Sequence, residues 1–275
     1  KIGKGDVFVI DEAGMVGSRQ LARFVKEVAE RGAKIVLVGD HEQLQSIGAG
    51  AAFRAIGARA GFVELTEVRR QREGWQAEAT LKFSKQQTAE ALRAYKDRGG
   101  VVIEDTREAA RSALLSDYLA DRAQRPDGSR VILAHQNADV TALNAEIRAT
   151  LQERGELAHG AEAGELVFQT DKGKRTFAAG DRIVFLENND SLGVMNGTLG
   201  TVEAVKRGRI VAKLDNGRRI EVPTAQYTAF DHGYATTIHK SQGDTVDRAF
   251  VLATTSMDRH MTYVAMTRHR DMAKL

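Results

Sequence analysis

The 275-residue sequence has no cysteine, which excludes disulfide bonds, thiolate zinc sites and cysteine nucleophiles. It has only 2 prolines beside 42% hydrophobic and 28% charged residues, so collagenous, proline-rich and disordered classes are excluded and two compact domains are expected. Apolar runs such as 183–186 are far shorter than the ~18 residues that span a bilayer. The first ten residues do not resemble a signal peptide. A cytoplasmic protein that does not bind membranes is therefore favoured.

Charge is nearly balanced, with 40 basic against 37 acidic side chains and a net charge of +3. This balance does not indicate a nucleic-acid partner by itself, so any such evidence must come from local clusters. The 7 histidines show no paired spacing typical of metal ligands.

The first 155 residues or so have an α/β pattern. Continuous apolar runs at 7–10 and 35–38 predict parallel strands buried on both faces. Between them, Ser18 is the expected N-cap of a helix and Gly32 its C-terminal stop. Further helices are predicted at about 88–98, 106–125 and 140–151, with a strand at 131–134. This alternation predicts an α/β fold.

From about 164 to 227 the hydrophobic period changes to two, which predicts strands at 182–186, 198–205, 210–214 and 218–222. Asn216-Gly217 is a strong hairpin signal. Because 250–253 again has the pattern of a buried parallel strand, these residues are interpreted as a small β-barrel inserted into the second α/β domain. The hairpin is basic, which suits either a DNA backbone or an edge protected by charge. Its basic residues are Lys206, Arg207, Arg209, Lys213, Arg218 and Arg219.

Acidic residues follow both of the first two strands. Asp11 and Glu12 stand where α/β sheets place ligands, so one carboxylate could hold Mg²⁺ and the other accept a proton from water, although a solvated turn has the same composition. After the second strand come Asp40 and Gln43, and a glutamine beside a γ-phosphate can bind the attacking water.

Two later segments also carry candidate phosphate ligands. Residues 236–243 are dense in hydrogen-bond donors, which suits contacts with phosphate oxygens or a polar loop. Arg268 follows an apolar segment and suits either a finger that stabilises phosphoryl transfer or a surface ion pair.

Together these segments resemble motifs II to VI of superfamily 1 DNA helicases. In order they are VIDEAG at 9–14, VGDHEQL at 38–44, LTEVRRQ at 65–71, HKSQG at 239–243 and YVAMTR at 263–268. The resemblance is to the RecD-like branch, which moves 5′ to 3′ and carries an SH3-like barrel between motifs IV and V. Residues 236–247 narrow it to the helicase region of TraA-type conjugative relaxases.

The resemblance implies two RecA-like motor domains, the first one truncated, with an inserted SH3-like β-barrel. The expected ranges are 1–64 for the first motor domain, 65–163 with 228–275 for the second, and 164–227 for the barrel. ATP and Mg²⁺ are the implied cofactors. Single-stranded DNA is the implied partner, together with conjugative transfer or recombination proteins.

The resemblance also implies roles for individual residues. Asp11 would bind Mg²⁺, Glu12 would be the base and Gln43 would sense the γ-phosphate. Arg70 and Arg268 would reach the phosphates from the second domain. Asp40 and Gly243 would complete the nucleotide site, and Thr237, His239, Lys240 and Asn137 would grip single-stranded DNA.

Two departures from the helicase pattern affect the interpretation. Motif I, Gly-x-x-x-x-Gly-Lys-Ser/Thr, is missing, so we expect that Lys1 lies inside the first motor domain and that this chain alone hydrolyses ATP negligibly. Thr245 stands where RecD-like proteins commonly have an acidic residue, so the sequence does not support a contact with the nucleotide ribose at this position. Two alternatives remain open: a nucleic-acid-binding module without ATP turnover, and a recombination helicase without a relaxase.

Overall fold

The computed structural model describes residues 2–44, 51–65 and 67–275. The chain begins with β1 (Val7–Ile10), α1 (Ser18–Glu30), β2 (Lys34–Leu37) and α2 (Ala52–Ala60). β1 and β2 pair in parallel, with Ile10 opposite Leu37. Their inward side chains form a small core with Leu21 of α1 and Phe53 of α2. The predicted strand-helix-strand unit is confirmed, whereas α2 was not predicted.

Two details of this unit were predicted wrongly. The strands are not buried on both faces, since Val7 and Val9 are 55% and 57% exposed. The residues that pack with α1 and α2 alternate along each strand with exposed ones, so the described helices cover one face. The N-cap of α1 is Gly17, and no side chain caps that end. The stop at Gly32 is confirmed by its φ of 63° and a hydrogen bond from its N–H to the Ala29 carbonyl.

The chain continues with α3 (Gly74–Ser84), α4 (Thr88–Lys96), α5 (Arg107–Gln124), β3 (Arg130–Ala134) and α6 (Asn137–Glu153). Every residue of β3 is buried, as expected for a central parallel strand. Thr106 caps α5, because its hydroxyl accepts a hydrogen bond from the Ala109 N–H. Apart from α3, these elements agree with the sequence predictions.

An antiparallel region follows. β4 (Leu166–Thr170) and β5 (Gly173–Phe177) form a hairpin of their own. β6 (Arg182–Phe185), β7 (Leu199–Lys206), β8 (Arg209–Leu214), β9 (Arg219–Pro223) and β10 (Phe230–His232) form a sheet with the order β10-β6-β7-β8-β9. The β8–β9 turn contains Gly217 at φ 87°, which confirms the predicted hairpin.

The end predicted for this region, residue 227, is too early. β10 belongs to the sheet because Phe230 lies opposite Phe185 in an antiparallel ladder. The Phe230 side chain is also completely buried in the core of this sheet. The strand was missed because it is only three residues long and contains two polar residues.

The chain then returns to parallel structure with β11 (Ala235–Thr237), β12 (Val246–Leu252), α7 (Arg259–Met266) and β13 (His269–Lys274). The four strands form a parallel sheet in the order β11-β3-β12-β13. One face packs on α5 and α6, and the other packs on α3, α4 and α7. Among the described residues, no helix is long and apolar enough to cross a bilayer.

A buried ionic network joins the antiparallel sheet to the parallel one. Asp181, which is fully buried, accepts hydrogen bonds from Arg148 of α6 at 3.1 Å and from the Tyr234 hydroxyl at 2.7 Å. Arg148 also contacts Glu165 at 2.5 Å. Because each charge has an opposite partner, the network fixes the position of the antiparallel sheet on α6.

Candidate nucleotide site and nucleic-acid cleft

The two acidic residues after β1 have different environments. Asp11 is exposed and its Oδ1 accepts a hydrogen bond from the Glu12 N–H at 2.8 Å. Glu12 has φ 49° and ψ 39°, a left-handed conformation that a non-glycine residue adopts rarely and at some cost. Its Oε2 accepts a hydrogen bond from Gln242 Nε2 at 3.0 Å. The Asp11 carboxylate is therefore bonded within its own turn, whereas Glu12 contacts the segment after β11.

The residues after β2 form a second set of polar contacts. Asp40 Oδ2 accepts hydrogen bonds from Gln43 Nε2 at 3.2 Å and from the Tyr263 hydroxyl at 2.7 Å. Gln43 Oε1 lies 3.5 Å from Arg268 Nη2. His260 Nδ1 lies 2.7 Å from the Glu42 carbonyl oxygen. These contacts join the end of β2 to α7 and to the residue two positions after it.

Two arginines face this junction. The Arg268 side chain is 2% exposed, and its Nε donates to the Val264 carbonyl at 3.0 Å. Arg70 Nη1 donates to the Thr267 carbonyl at 2.9 Å. In the part of the chain that the structure describes, neither guanidinium has a carboxylate oxygen within 4.0 Å. Since a buried cation is costly without an anion, the pair favours binding of an anionic ligand.

Burial is the main cause of the pKa shifts in this site. Burial, followed by the charge of Arg70, lowers the pKa of Arg268 to about 10. Burial also lowers the pKa of Arg70, although the Glu12 carboxylate opposes this shift. Burial raises the pKa of Asp244 in the same region to about 7, despite the attraction of Arg268 and Arg70. A phosphate group would supply the negative charge that these arginines lack.

The donor set also fits a magnesium nucleotide. No group of three or more His, Asp or Glu side chains that could hold a metal occurs among the described residues. Mg²⁺ does not require such a cage, because it is commonly bound by one or two carboxylates, water and substrate phosphates. The exposed Asp11 carboxylate at the end of β1 can serve as that protein ligand.

Three of the four predicted DNA ligands line one cleft of about 580 Å³ between α6, β11 and the antiparallel region. Asn137 is the first residue of α6, Thr237 ends β11 and Lys240 follows it. Lys172, from the β4–β5 turn, lines the same cleft. Partial burial, and then the charge of Lys172, lowers the pKa of Lys240. Two ammonium groups in one cleft suit a phosphate backbone.

The other predicted residues lie elsewhere. His239 is not part of the cleft lining, and its ring centroid is 6.3 Å from that of His135. Burial and this neighbour lower the pKa of His239. Gly243 is exposed in the following loop at φ 87°.

The basic hairpin is partly neutralised. Arg209 forms an ion pair with Glu221 at 2.8 Å, and Arg219 forms one with Glu203 at 2.6 Å. Arg218 donates to the Leu192 carbonyl at 3.0 Å. These contacts indicate that the hairpin is a sheet edge protected by charge, and they argue against a continuous DNA-binding surface.

Sequence reasoning assigned no role to Gln242, Tyr263 and Lys172. Gln242 and Tyr263 belong to the quoted motifs, and their polar groups are directed at the site by contacts with residues more than 220 positions away. Lys172 carried no sequence signal, because only the fold brings the β4–β5 turn beside Lys240.

The chain is similar to known proteins in sequence and in fold. Residues 1–106 match the AAA domain family. The chain is 50% identical over 272 residues to the conjugal transfer protein TraA of Agrobacterium fabrum, a match that covers 98% of this chain and 24% of TraA. It is 27% identical over 279 residues to the ATP-dependent RecD2 DNA helicase of Deinococcus radiodurans, covering 97% of this chain and 35% of that protein. The chain is therefore similar in sequence to a part of TraA and to a part of RecD-like helicases.

The fold matches solved helicase structures. The Bacteroides Pif1 helicase in complex with ADP-AlF3 and single-stranded DNA superposes with a TM-score of 0.62 at 21% identity, covering 98% of this chain and 70% of that one. The predicted α/β fold is therefore confirmed, with Pif1 helicases as structural neighbours, and so is the predicted sequence resemblance. The chain spans about a quarter of the length of the TraA proteins that it matches.

Proposed function

We propose that this chain is part of an ATP-dependent DNA motor that travels 5′ to 3′ along single-stranded DNA, in a protein of the conjugative transfer relaxase type. The observation that supports it best is the pair of guanidiniums, Arg70 and Arg268, that face Glu12 and Gln43 without a carboxylate partner among the described residues. A nucleotide phosphate is the anion that this arrangement fits. The direction of travel rests on the RecD-like resemblance.

Each residue has a distinct part in the proposed reaction. Mg²⁺, bound by Asp11 and the phosphates, would neutralise developing charge on the phosphate oxygens. Glu12 accepts the proton of the attacking water, and the hydrogen bond from Gln242 holds its carboxylate. Gln43 orients that water, and Arg70 and Arg268 stabilise the transition-state charge.

The DNA path in this proposal is the cleft that contains Asn137, Thr237 and Lys240. Thr237 and Lys240 lie at one end of a short segment whose other end, Gln242, contacts Glu12 at 3.0 Å. A change at the nucleotide can therefore move the residues that hold DNA. We also propose that the antiparallel region is the SH3-like insertion of RecD-like helicases, and that the two motor domains lie on either side of residue 64.

The phosphate loop is proposed to be supplied outside this sequence, which contains no Gly-x-x-x-x-Gly-Lys-Ser/Thr motif. The β- and γ-phosphates need the backbone cradle and lysine of that motif. The isolated chain should therefore bind single-stranded DNA but hydrolyse ATP negligibly. DNA-stimulated turnover by the isolated chain would contradict this part of the proposal.

The decisive experiment measures ATP turnover, with and without single-stranded DNA, on the protein that includes the phosphate loop. The matched variant Glu12→Gln keeps the size and the hydrogen bonding of the side chain but removes the base. We expect DNA-stimulated turnover in the wild type, and loss of turnover with retained nucleotide binding in the variant. A folded wild-type protein that binds DNA without turnover would instead support a DNA-binding module.

A further inference from the structure

The Tyr263 hydroxyl reaches from α7 to the segment after β2. Its ring is 7% exposed and stacks on Phe83 with centroids 6.4 Å apart. The hydroxyl donates a hydrogen bond of 2.7 Å to Asp40 Oδ2. The ring is therefore held by packing, and the hydroxyl bridges two parts of the chain that are more than 220 residues apart.

The Asp40 carboxylate accepts three hydrogen bonds from the described residues. Besides Tyr263, its Oδ2 accepts from Gln43 Nε2 at 3.2 Å and its Oδ1 accepts from the Glu42 N–H at 2.9 Å. An ionised carboxylate has no proton to donate, so the amide nitrogen of Gln43 must be the group that faces it. The amide oxygen of Gln43 is thereby directed to the opposite side, where it lies 3.5 Å from Arg268 Nη2.

We propose that Tyr263 is a positioning residue for nucleotide hydrolysis, which holds Asp40 so that the Gln43 amide keeps one orientation between Asp40 and Arg268. This inference rests on the proposed function of the site. Among the described residues, the hydroxyl is one of two donors to Asp40 Oδ2, and the other is Gln43 itself. Without it, the carboxylate can rotate and the amide can flip, which would present an NH₂ group to the Arg268 cation.

The hydroxyl is a permanent donor under ordinary conditions. Burial raises the pKa of Tyr263, and the neighbouring Asp40 carboxylate raises it further. The bond to Asp40 is therefore maintained at neutral pH, and it is of the charge-assisted kind that is stronger than a neutral hydrogen bond.

The test is Tyr263→Phe, which removes one oxygen atom and keeps the ring that packs on Phe83. In the protein that includes the phosphate loop, kcat for ATP should fall ~10-fold or more while KM changes less than ~2-fold, because the lost bond orients Gln43 in the transition state and does not hold ground-state nucleotide. Tyr118→Phe is the matched control. The Tyr118 hydroxyl is also buried but has no hydrogen-bond partner among the described residues, so this control should keep the wild-type kcat.

A double variant separates positioning from a general structural role. If Tyr263 acts through Gln43, Tyr263→Phe should lower kcat no further in a protein that already carries Gln43→Ala. An equal proportional loss in both backgrounds would overturn the assignment, as would unchanged kcat in Tyr263→Phe. Absence of turnover in the wild type would overturn the proposed function itself, together with the assignment that depends on it.

Discussion

Asp244→Asn should stabilise the protein near pH 8 and change its stability little near pH 4. Asp244 lies in the loop after Gly243, and burial raises its pKa from 3.8 to about 7. The charges of Arg268 and Arg70 act to lower the pKa, but burial outweighs them. Oδ2 has no hydrogen-bond partner among the described residues. The ionised carboxylate is therefore a net cost in the folded state.

The size of the expected stability change follows from the difference between the pKa of Asp244 in the folded protein and its pKa in the unfolded chain. In the unfolded chain the carboxyl group ionises near its ordinary value, whereas in the folded protein it stays protonated to about 7. The free energy of unfolding therefore falls as the pH rises between these values, and this group causes no further change above them. The full difference corresponds to about 4 kcal/mol at 1.36 kcal/mol per unit, and solvent at this partly exposed side chain reduces the expected effect to about 2 kcal/mol.

The assay is urea unfolding of the isolated chain at several pH values, comparing variant with wild type at each one. Asp247→Asn is a control for which we expect the opposite effect on stability, because the pKa of Asp247 is shifted in the opposite direction. Partial burial acts to raise the pKa of Asp247, but hydrogen bonds from Ser129 and Arg270 lower it below its usual value. Above the acidic range Asp247→Asn should therefore be less stable than the wild type, because only the wild type gains the stabilisation of the ionised carboxylate. If Asp244→Asn instead lowers stability near pH 8, the carboxylate is an ionised partner of the arginines and the reasoning fails.

Three other variants test the site and its support. Arg268→Ala should lower ATP turnover ~10³-fold or more in the protein with the phosphate loop, since it removes the cation nearest Gln43, and a loss below ~10-fold would make it a structural residue. Lys240→Ala should weaken binding of single-stranded DNA by the isolated chain and reduce the slope of log K against log salt by about 0.7, and an unchanged slope would remove Lys240 from the DNA path. Asp181→Ala should destabilise the chain by about 3–5 kcal/mol in urea unfolding because it leaves Arg148 buried without its main partner, and a loss below ~1 kcal/mol would show that water or Glu165 replaces it.

Some helices, strands and turns could be predicted because the signal lies within their own sequence. α5 and α6 were predicted because their apolar residues recur with the helical period, and β3 was predicted because its apolar residues are consecutive. The β8–β9 hairpin was predicted because Asn-Gly specifies a tight turn. Such signals lie within the element itself and do not depend on its neighbours.

The features that were predicted wrongly or not at all depend on contacts with residues that are distant in the sequence. The runs at 7–10 and 35–38 are continuously apolar, yet the described helices cover only one face of β1 and β2. β13 contains His269, Arg270 and Asp271, which conceal its strand character, and only its parallel pairing with β12 defines it. The same limit applies to the site, because the Tyr263–Asp40 and Gln242–Glu12 contacts exist only in the folded chain.

The segment from Thr237 to Asp244 connects the two candidate binding regions, and the antiparallel sheet packs directly on it. A Cβ atom on Gly197 would lie 2.5 Å from the Lys240 carbonyl oxygen and 3.3 Å from Asp244 Oδ2. Gly197 also has φ 96°, a conformation that other residues adopt rarely. Only glycine therefore lets the loop before β7 approach this backbone so closely. Because one end of the segment lines the cleft and Gln242 contacts Glu12, the close approach of Gly197 to this segment constrains both regions.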